Sequence, residues 1–532
     1  MDLQGAFHVY DTTLRDGMQQ EGLNPTVADK LAIARQLDEL GVGFIEGGWP
    51  GANPKDTEFF RRAATELDLK HAKLAAFGAT RRAGVRAADD PLVAALRDSG
   101  APVVTLVAKS HDRHVELALR TTLEENLAMV RDTVAHLTAE GQRVFLDAEH
   151  FFDGYRDNRA YALEVLRTAF EAGAEVAALC DTNGGMLPSW VADVVADVHA
   201  NALGSGVGRV GIHCHNDTGC AVANTLAAVD AGATHVQGTI NGYGERTGNA
   251  DLISVVANLE LKLDRQVLPQ GLLREATRIA HGIAEVTNVP PASRQPYVGT
   301  SAFAHKAGLH ASAIKVDPML YQHMDPMGVG NDMRLLVSDM AGRASIELKG
   351  KELGFDLSGD KGLLTAITDK VKELESRGFT FEAADASFEL LLVEMVEGRR
   401  PSYFEVESWR VITETQPDGH DATCEATVKL HAEGERFVVV GEGNGPVNAL
   451  DHALRQAIGQ AYPEVAKFEL IDFKVRILDQ GHGTDAITRV LIETTDGASS
   501  WVTVGVGPNI IEASWQALTD SVTYGLRKHH QR

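Results

Sequence analysis

Residues 208–217 read Gly-Arg-Val-Gly-Ile-His-Cys-His-Asn-Asp and contain the only His-x-His in the chain. The apolar-leaning run before the histidines predicts a β-strand, and residues 219–224 predict that a helix follows. Side chains at positions i and i+2 of a strand point to the same face, so His213 and His215 are expected to converge at the strand end. Neutral imidazole is a common metal ligand, which makes this pair a candidate metal site. The alternative is two histidines that simply pack in a polar strand end.

The same order, a short strand followed by a helical pattern, recurs along the first half of the chain. Eight strands are predicted, at residues 7–10, 43–46, 73–77, 103–107, 143–147, 176–180, 209–212 and 234–238. Eight such repeats over about 260 residues are typical of a (β/α)8 TIM barrel. A doubly wound sheet is the alternative, but it usually has a glycine-rich turn after its first strand, and Asp-Thr-Thr-Leu-Arg-Asp-Gly at 11–17 is no such turn. The fold class is therefore predicted to be α/β, beginning with a barrel.

Signals for helix ends lie between the predicted strands. Thr26 precedes an amphipathic run and Gly41 follows it, which predicts a helix with a threonine cap. The sequence Thr122-Leu123-Glu124-Glu125 has the spacing of a capping box, in which the threonine and glutamate side chains each bind the other residue's backbone N–H. Both signals support the alternation of strands and helices.

Length and composition limit the class of protein. A chain of 532 residues is too long for one ordinary core, so two or three domains are expected. The net charge of −24 argues against a nucleic-acid partner, which would require a basic face. The four cysteines lack zinc-type spacing, and we expect a protein of the reducing cytoplasm without disulfides. The N-terminus lacks the pattern of a signal peptide, and the absence of a long apolar stretch predicts that no segment spans a membrane.

Charged and polar residues follow the predicted strands, at the end where a barrel places its chemistry. They are Arg15, Asp16, Glu46, Glu149, His150, Asp181, Thr182, His213 and His215, with residues 241–249 after the last strand. Any one of them could be a loop charge or a helix cap. Two imidazoles and one carboxylate, from His213, His215 and Asp16, form a ligand set that suits a divalent cation with open positions for an oxygen-bearing substrate. Asn249 could add an amide oxygen.

Three motifs resemble those of a known enzyme family. Residues 11–17, 211–217 and Gly-Tyr-Gly-Glu-Arg-Thr-Gly-Asn-Ala at 242–250 are similar to the signatures of the metal-dependent acyl-CoA/2-oxo-acid barrel enzymes. That family comprises the isopropylmalate, homocitrate and citramalate synthases, with hydroxymethylglutaryl-CoA lyase and carboxyltransferases as relatives. The resemblance continues through Phe-Ala-His-Lys-Ala-Gly-Leu-His at 303–310 into the C-terminal region. It therefore covers nearly the whole chain.

Within this family the chain looks most like the citramalate synthases. The similarity lies in Ile-Glu-Gly-Gly-Trp-Pro-Gly-Ala-Asn-Pro-Lys-Asp at 45–56 and in residues 325–331. Residues 17–20 read Gly-Met-Gln-Gln, where isopropylmalate synthases typically carry Glu after the Gly. An isopropylmalate synthase, which uses 2-oxoisovalerate, stays open as the alternative because only apolar pocket residues separate the two substrates. Two further alternatives are open. The C-terminal repeat disfavours a barrel lyase or carboxyltransferase, and the candidate metal ligands with Arg15 disfavour a non-catalytic amino-acid sensor.

The resemblance implies a Claisen condensation between acetyl-CoA and pyruvate, followed by hydrolysis of the thioester. It implies that Mg, Mn or Zn is bound by Asp16, His213 and His215 and grips the 2-oxo acid. Arg15 would stabilise the developing alkoxide, and the Thr182 hydroxyl would hold the substrate carboxylate. Two residues, Glu149 and His305, are candidates for the base, and the resemblance favours His305, with Tyr321 near the acyl-CoA.

The resemblance and the change of pattern along the chain imply three domains. We expect a catalytic barrel at 1–285, a mainly helical linker at 286–395 that contributes to the active site, and an α+β regulatory domain at 396–532. The family arrangement implies a homodimer, in which the linker covers the barrel of the partner subunit. From about residue 402, period-two strands followed by a glycine-rich turn and a helix occur twice, an internal repeat that resembles the family's regulatory domain. The implied effector is isoleucine, and the alternative is a dimerisation domain without a ligand.

Overall fold

The computed structural model describes residues 7–203, 208–338, 340, 342–414, 423–478 and 486–531. The chain forms two compact units, one of Met1–Phe303 with Met324–Asp332 and the other of Ala304–His323 with Met333–Arg532. The first unit contains a large apolar core around one sheet, and the second contains smaller cores of its own.

Eight parallel strands of the first unit close into a barrel. In chain order, β1 to β8 are His8–Asp11, Phe44–Gly48, Lys73–Ala79, Val103–Lys109, Arg143–Glu149, Val176–Asp181, Arg209–Cys214 and His235–Gly238. Each strand pairs with the next one along the chain, and β8 pairs with β1 through the partners His8 and His235. All eight predicted strands are present, and the predicted TIM barrel is confirmed.

Ten helices surround or follow the barrel in the described part of the first unit. They are α1 Val27–Leu40, α2 Pro54–Glu66, α3 Pro91–Asp98, α4 Leu123–Ala139, α5 Phe151–Asp157, α6 Arg159–Glu171, α7 Pro188–Asn201, α8 Ala221–Asp230, α9 Leu252–Leu261 and α10 Ala276–Thr287. Shorter helical turns occur at Gly17–Gln19, Ala87–Asp89, Asp112–His114, Val115–Leu119, Ile240–Gly242, Leu272–Glu275 and Pro326–Val329.

Two helix starts test the predicted caps. Thr26 and Asp29 form a complete capping box at the start of α1, and Gly41 ends that helix in the left-handed conformation. At α4 the Thr122 hydroxyl accepts from the backbone N–H of Glu125 at 3.2 Å, which is half of the predicted box. The other half is wrong, because the Glu125 carboxylate binds Arg81 and the backbone N–H of Gly84 instead.

Side chains inside the barrel fill its lower part. The aromatic rings of Tyr10, Phe44 and Phe145 pack there, fully buried, with small and β-branched residues from the other strands. The outer faces of the strands pack against the helices and form the larger core. Packing on both faces fixes the strands, so the carboxyl ends of the strands form a rigid rim for the site.

The second unit begins with short strands and four helices. They are β9 Ala304–His305, α11 Gly308–Ile314, β10 Arg334–Leu335, α12 Arg343–Glu352, α13 Lys361–Ser376 and α14 Asp385–Glu397. Two similar modules follow. The first consists of β11 Phe404–Glu414, β12 Thr423–Ala432, β13 Glu435–Gly443 and α15 Pro446–Ile458. The second consists of β14 Glu469–Ile477, β15 Thr488–Thr495, β16 Ser500–Gly507 and α16 Ile510–His530. Each module is a three-stranded antiparallel sheet packed on its helix. The helical linker region and the repeated α+β region are therefore as predicted.

Two findings bear on the expected environment of the protein. No helix among the described residues is long and apolar enough to cross a membrane. All four cysteines carry free thiols, and Cys180, Cys214 and Cys424 are buried.

Candidate active site

The two histidines of the His-x-His motif converge on one carboxylate. His213 lies on β7 and His215 directly follows this strand, where it forms an isolated β-bridge with Asn249. The Nε2 atoms of His213 and His215 lie 3.1 and 3.8 Å from Oδ2 of Asp16. All three side chains are buried, and their ligand atoms lie within 4.8 Å of one another. Among the described residues, this is the one group of three or more histidine, cysteine and acidic side chains close enough to share a metal ion.

Asp16 reaches the histidines because of a tight turn after β1. The carbonyl oxygen of Thr12 accepts hydrogen bonds from the backbone N–H groups of Arg15, Asp16 and Gly17. This turn presents Arg15 and Asp16 side by side at the rim of the barrel. Burial would raise the pKa of Asp16, but the Arg15 guanidinium and then His213 hold the pKa of this carboxyl well below its ordinary value. Asp16 is therefore an ionised carboxylate, as a metal ligand must be.

Two buried polar atoms at this cluster fit a metal ligand set. The Nδ2 of Asn249 donates to the carbonyl oxygen of Tyr243 at 3.0 Å, which fixes the amide group. The Oδ1 of Asn249 and the Nδ1 of His215 are buried without a hydrogen-bond partner among the described residues. Buried polar atoms are normally paired, so an acceptor left over beside a carboxylate and two imidazoles suits a cation. We conclude that Asp16, His213 and His215 fit a divalent metal, and that the β-bridge between His215 and Asn249 joins Asn249 to this cluster.

Arg15 is held rigidly next to this cluster. Its Nε donates to Oε2 of Glu46 at 2.6 Å, its Nη1 lies 3.6 Å from Oδ2 of Asp16, and its guanidinium lies 3.9 Å above the ring of Phe77. The hydroxyl of Tyr10 donates to Oε1 of Glu46 at 2.8 Å and so fixes the partner as well. Burial alone would lower the pKa of Arg15, but Glu46 and Asp16 hold the pKa above its ordinary value. The site therefore contains a permanent, oriented positive charge.

Glu149 and Thr182 lie at the ends of the neighbouring strands β5 and β6. The Glu149 carboxylate is paired with the ammonium group of Lys109, which is its register partner on β4. The Thr182 hydroxyl accepts from the backbone N–H of His150 at 2.9 Å. Because that contact uses the oxygen as acceptor, the hydroxyl proton of Thr182 remains available as a donor.

A cavity of about 970 Å³ brings these residues together. Its wall includes Arg15, Asp16, Glu149, Thr182, His213 and His215. Seven basic side chains line it, against five acidic ones; the basic residues are Arg15, Lys30, Lys55, Arg81, Arg82, Lys109 and Arg246. On a chain with a net charge of −24, this local excess of cations is what an anionic substrate needs.

The two remaining predicted site residues, His305 and Tyr321, belong to the second unit. His305 lies on β9, and His310 lies between it and Tyr321, with ring centroids 6.3 Å from His305 and 4.2 Å from Tyr321. Burial and then His310 lower the pKa of His305 below its ordinary value of 6.5. His305 is consequently neutral at pH 7 and has the protonation state of a base.

Three residues of the site were not predicted from the sequence. Gln237 accepts from Nδ1 of His213 at 2.9 Å, Asp147 accepts from Gln237 at 2.8 Å, and Lys109 pairs with Glu149. Asp147 lies within a strand whose other residues are mostly apolar, and Gln237 lies two residues after the buried His235 on β8. A polar residue at an inward position of a barrel strand is the signal that would have identified them.

This fold and this donor set define the class of protein. A (β/α)8 barrel with two histidines, a carboxylate and a buried arginine at its strand ends has the architecture of a barrel enzyme and a set of side chains that could hold a divalent metal. The comparisons with known proteins agree. The HMGL-like family model matches residues 6–280, the homocitrate synthase post-HMGL domain-like model matches 297–378, and the LeuA allosteric (dimerisation) domain matches 382–526.

Relatives match over the whole length. The (R)-citramalate synthase of Streptomyces coelicolor is 69% identical over 99% of this chain and 97% of its own, and that of Aquifex aeolicus is 49% identical over 98% of each chain. A probable 2-isopropylmalate synthase of Methanopyrus kandleri is 34% identical over 98% of each chain. The chain therefore belongs to the HMGL-like family, in the group of the (R)-citramalate synthases. It is an enzyme that acts as an acyltransferase, and the predictions of the family and of the enzyme class are confirmed.

Proposed function

We propose that this enzyme condenses acetyl-CoA with pyruvate and hydrolyses the thioester, which gives (R)-citramalate and CoA. The observation that carries the proposal is the Asp16, His213 and His215 cluster with Arg15 beside it, in one cavity large enough for both substrates. Full-length similarity to proteins named (R)-citramalate synthase, at 69% and 49% identity, supports the choice of substrates. In metabolism this reaction would be the first step of an isoleucine pathway that does not start from threonine.

The 2-oxo acid would lie between the metal cluster, Arg15 and Thr182. Asp16, His213 and His215, with Asn249, would hold a divalent metal such as Mg, Mn or Zn, which supplies a Lewis acid for the 2-oxo group when bound. The Thr182 hydroxyl has its proton available for the substrate carboxylate, because its oxygen already accepts from His150. Arg15 is fixed by Glu46 before substrate arrives, so its N–H groups can stabilise the negative charge that develops on the keto oxygen.

The methyl group of acetyl-CoA must lose a proton before it can attack the keto carbon. Glu149 lies in the cavity and is paired with Lys109, whereas burial and His310 lower the pKa of His305, which is the residue that the family resemblance favours. The base takes one methyl proton, the resulting carbanion forms the new carbon–carbon bond, and the former keto oxygen takes up a proton. Water then adds to the thioester carbon, and CoA leaves as the thiol. We assign the base to His305, with Tyr321 beside the acyl-CoA, and keep Glu149 as the alternative.

The second unit would provide regulation and dimerisation. A cavity of about 550 Å³ lies beside α15, where charged residues (Asp451, Arg455) meet apolar ones (Val447, Leu470, Phe473). A charged pair for the amino and carboxylate groups, next to an apolar wall for the side chain, suits a branched-chain amino acid. The match to the LeuA allosteric (dimerisation) domain supports both an isoleucine effector and a homodimer. A dimerisation domain without a ligand is the alternative.

The division into domains and the location remain proposals as well. We propose a barrel at 1–285, a linker at 286–395 and a regulatory domain at 396–532. Three family models support this division, because they match residues 6–280, 297–378 and 382–526 in the same order. A cytoplasmic location is supported by the four free cysteines and by substrates of central metabolism.

Product identity tests the proposal. Purified protein with added Mg²⁺ is incubated with pyruvate and acetyl-CoA labelled with ¹³C in the methyl group, and the products are separated on a chiral column with mass detection. We expect (R)-citramalate labelled in its methylene carbon and CoA in equal amounts. Labelled 2-isopropylmalate from 2-oxoisovalerate, with no product from pyruvate, would assign the alternative activity. Absence of CoA release with every 2-oxo acid would overturn the proposal.

A further inference from the structure

A column of polar side chains runs through the interior of the barrel, below the metal cluster. It consists of His8 on β1 and of His235 and Gln237 on β8, all of them fully buried. The Nδ1 atoms of His8 and His235 lie 3.2 Å apart, and Nε2 of His235 lies 3.2 Å from Nε2 of Gln237. At the top of the column, Oε1 of Gln237 lies 2.9 Å from Nδ1 of His213. The column therefore ends on a proposed metal ligand.

The chemistry of each atom fixes the direction of these hydrogen bonds. An amide nitrogen only donates, so Nε2 of Gln237 donates to Oδ1 of Asp147 at 2.8 Å and to Nε2 of His235. An amide oxygen only accepts, so Nδ1 of His213 carries a proton and donates to Gln237. With Nδ1 committed to Gln237, Nε2 is the ring nitrogen of His213 that faces Oδ2 of Asp16, at 3.1 Å, and it is the nitrogen that a metal would bind after displacing its proton.

The positions of the protons on His235 and His8, at the bottom of the barrel, follow from the same donor and acceptor rules. Because Nε2 of His235 accepts, its proton is on Nδ1 and is donated to Nδ1 of His8. The proton of His8 is then on Nε2, which lies 3.9 Å from Oε1 of Glu175. Burial and then His8 lower the pKa of His235 well below its ordinary value, so His235 is neutral. The hydrogen bonds of Gln237 and His235 therefore fix where the proton lies on His235 and on His8.

We propose that Gln237, backed by His235 and Asp147, is a positioning residue that holds His213 as the Nδ1–H tautomer and so keeps Nε2 free for the metal. The inference rests on the proposed metal site and adds to it a set of residues that do not touch the metal. Its key feature is the orientation of one amide group, which is set by partners on three strands.

The competing arrangement has the Gln237 amide reversed. It would turn Oε1 toward the carboxylate of Asp147, acceptor against acceptor, and Nε2 toward Nδ1 of His213. His213 would then have to carry its proton on Nε2, the atom that the metal needs. The Asp147 carboxylate excludes this reversed state, because both of its oxygens are acceptors.

Two substitutions of Gln237 separate positioning from packing. Gln237→Leu removes the acceptor for His213, whereas Gln237→Glu, protonated beside Asp147, keeps a carbonyl acceptor for His213 and an O–H donor for Asp147. Asn224→Leu serves as the matched control, since Asn224 is an equally buried amide that donates to the Met186 carbonyl, outside the column.

Mn²⁺ affinity of the full-length protein is measured from the EPR signal of free Mn²⁺. The protonated ring nitrogen of His213 is read, in protein loaded with diamagnetic Mg²⁺, from long-range ¹H–¹⁵N correlations after ¹⁵N-histidine labelling.

We expect Gln237→Leu to raise the Kd for Mn²⁺ by about 10- to 100-fold and to shift His213 toward the Nε2–H tautomer. Gln237→Glu and Asn224→Leu should stay within about threefold of the wild-type Kd, with the His213 signal unchanged for Asn224→Leu. If Gln237→Leu does not fold, judged by circular dichroism, Gln237→Met replaces it with the same expectation. Unchanged Kd and unchanged His213 tautomer in the folded variant would overturn the inference. Wild-type protein that binds no Mn²⁺ would instead overturn the proposed metal site, and the inference with it.

Discussion

The Nε of Arg15 and the Oε2 of Glu46 lie 2.6 Å apart, and they join the turn after the first barrel strand to the second strand. The Glu46 side chain is fully buried and the Arg15 side chain is 14% exposed. A buried, hydrogen-bonded ion pair of this kind holds the guanidinium in one place before the reaction begins. The Nη1 of Arg15 lies 3.6 Å from Oδ2 of Asp16, on the side of the cavity where a keto oxygen would acquire charge. Preorganisation of this kind lowers a barrier because no reorganisation is needed at the moment of reaction.

We predict that Arg15→Lys lowers kcat by about 100-fold or more without loss of the metal, because lysine cannot reproduce the planar, oriented guanidinium. Steady-state kinetics with acetyl-CoA and pyruvate give kcat, and titration with Mn²⁺ gives the metal affinity. The Kd for Mn²⁺ should stay within about threefold, since Arg15 is not a ligand. A variant with near-normal kcat would remove Arg15 from the chemistry.

Metal removal tests the cluster directly. Exhaustive chelation should abolish turnover, and Mg²⁺ or Mn²⁺ should restore it. The cation bound by Asp16, His213 and His215 supplies the Lewis acid for the substrate, and these three side chains cannot supply one themselves. Asp16→Asn, which removes the only carboxylate of the set, should raise the Kd for Mn²⁺ by about tenfold or more. Full activity of metal-stripped protein would contradict the site assignment.

The pH dependence of kcat/KM distinguishes the two candidate bases. A base works in its neutral or anionic form, so activity is lost as pH falls through the pKa of the base. Because burial and His310 lower the pKa of His305, we expect the acid limb of the wild-type profile to lie below pH 6.5. His305→Gln should reduce kcat/KM by about 100- to 10,000-fold and remove this limb, whereas Glu149→Gln should keep it. A profile in which only Glu149→Gln removes the limb would assign the base to Glu149.

Isoleucine should bind to the C-terminal region and inhibit the enzyme. Titration calorimetry on the full-length protein is expected to give a saturable heat with isoleucine, and kcat/KM should fall as the effector saturates. Arg455→Met keeps most of the side-chain volume but removes the charge beside Asp451, so it should abolish the heat while activity without effector is retained. A full-length protein that gives no heat and unchanged rates with isoleucine or leucine would favour a dimerisation domain without a ligand.

The sequence was sufficient for the barrel because most of its strands are short apolar runs bounded by turn or helix signals, and because strands and helices alternate eight times. The convergence of His213, His215 and Asp16 could also be predicted, since strand ends of a barrel meet at one rim. The residues that support this cluster could not be predicted from the sequence. Gln237, Asp147 and Lys109 act through partners on other strands, and which inward residues face each other depends on the stagger of the closed barrel.

The predicted capping box at Thr122 shows the same limit on a smaller scale. The motif at this helix start is present, but Arg81, which is distant in sequence, offers Glu125 a charged partner. A charge-assisted hydrogen bond is stronger than the bond to a backbone N–H that the motif predicts. Local patterns are therefore reliable where no long-range partner competes, as at Thr26 with Asp29.

The central claim is that this cavity condenses acetyl-CoA with pyruvate. The most direct measurement is the rate of CoA thiol release from acetyl-CoA with a panel of 2-oxo acids, namely pyruvate, 2-oxobutanoate, 2-oxoisovalerate and 2-oxoglutarate, at saturating Mg²⁺. We predict that kcat/KM is highest with pyruvate and falls by about 10-fold or more for 2-oxoisovalerate, because each added methyl group changes the fit to a close-packed pocket. A higher kcat/KM with 2-oxoisovalerate than with pyruvate would contradict the account.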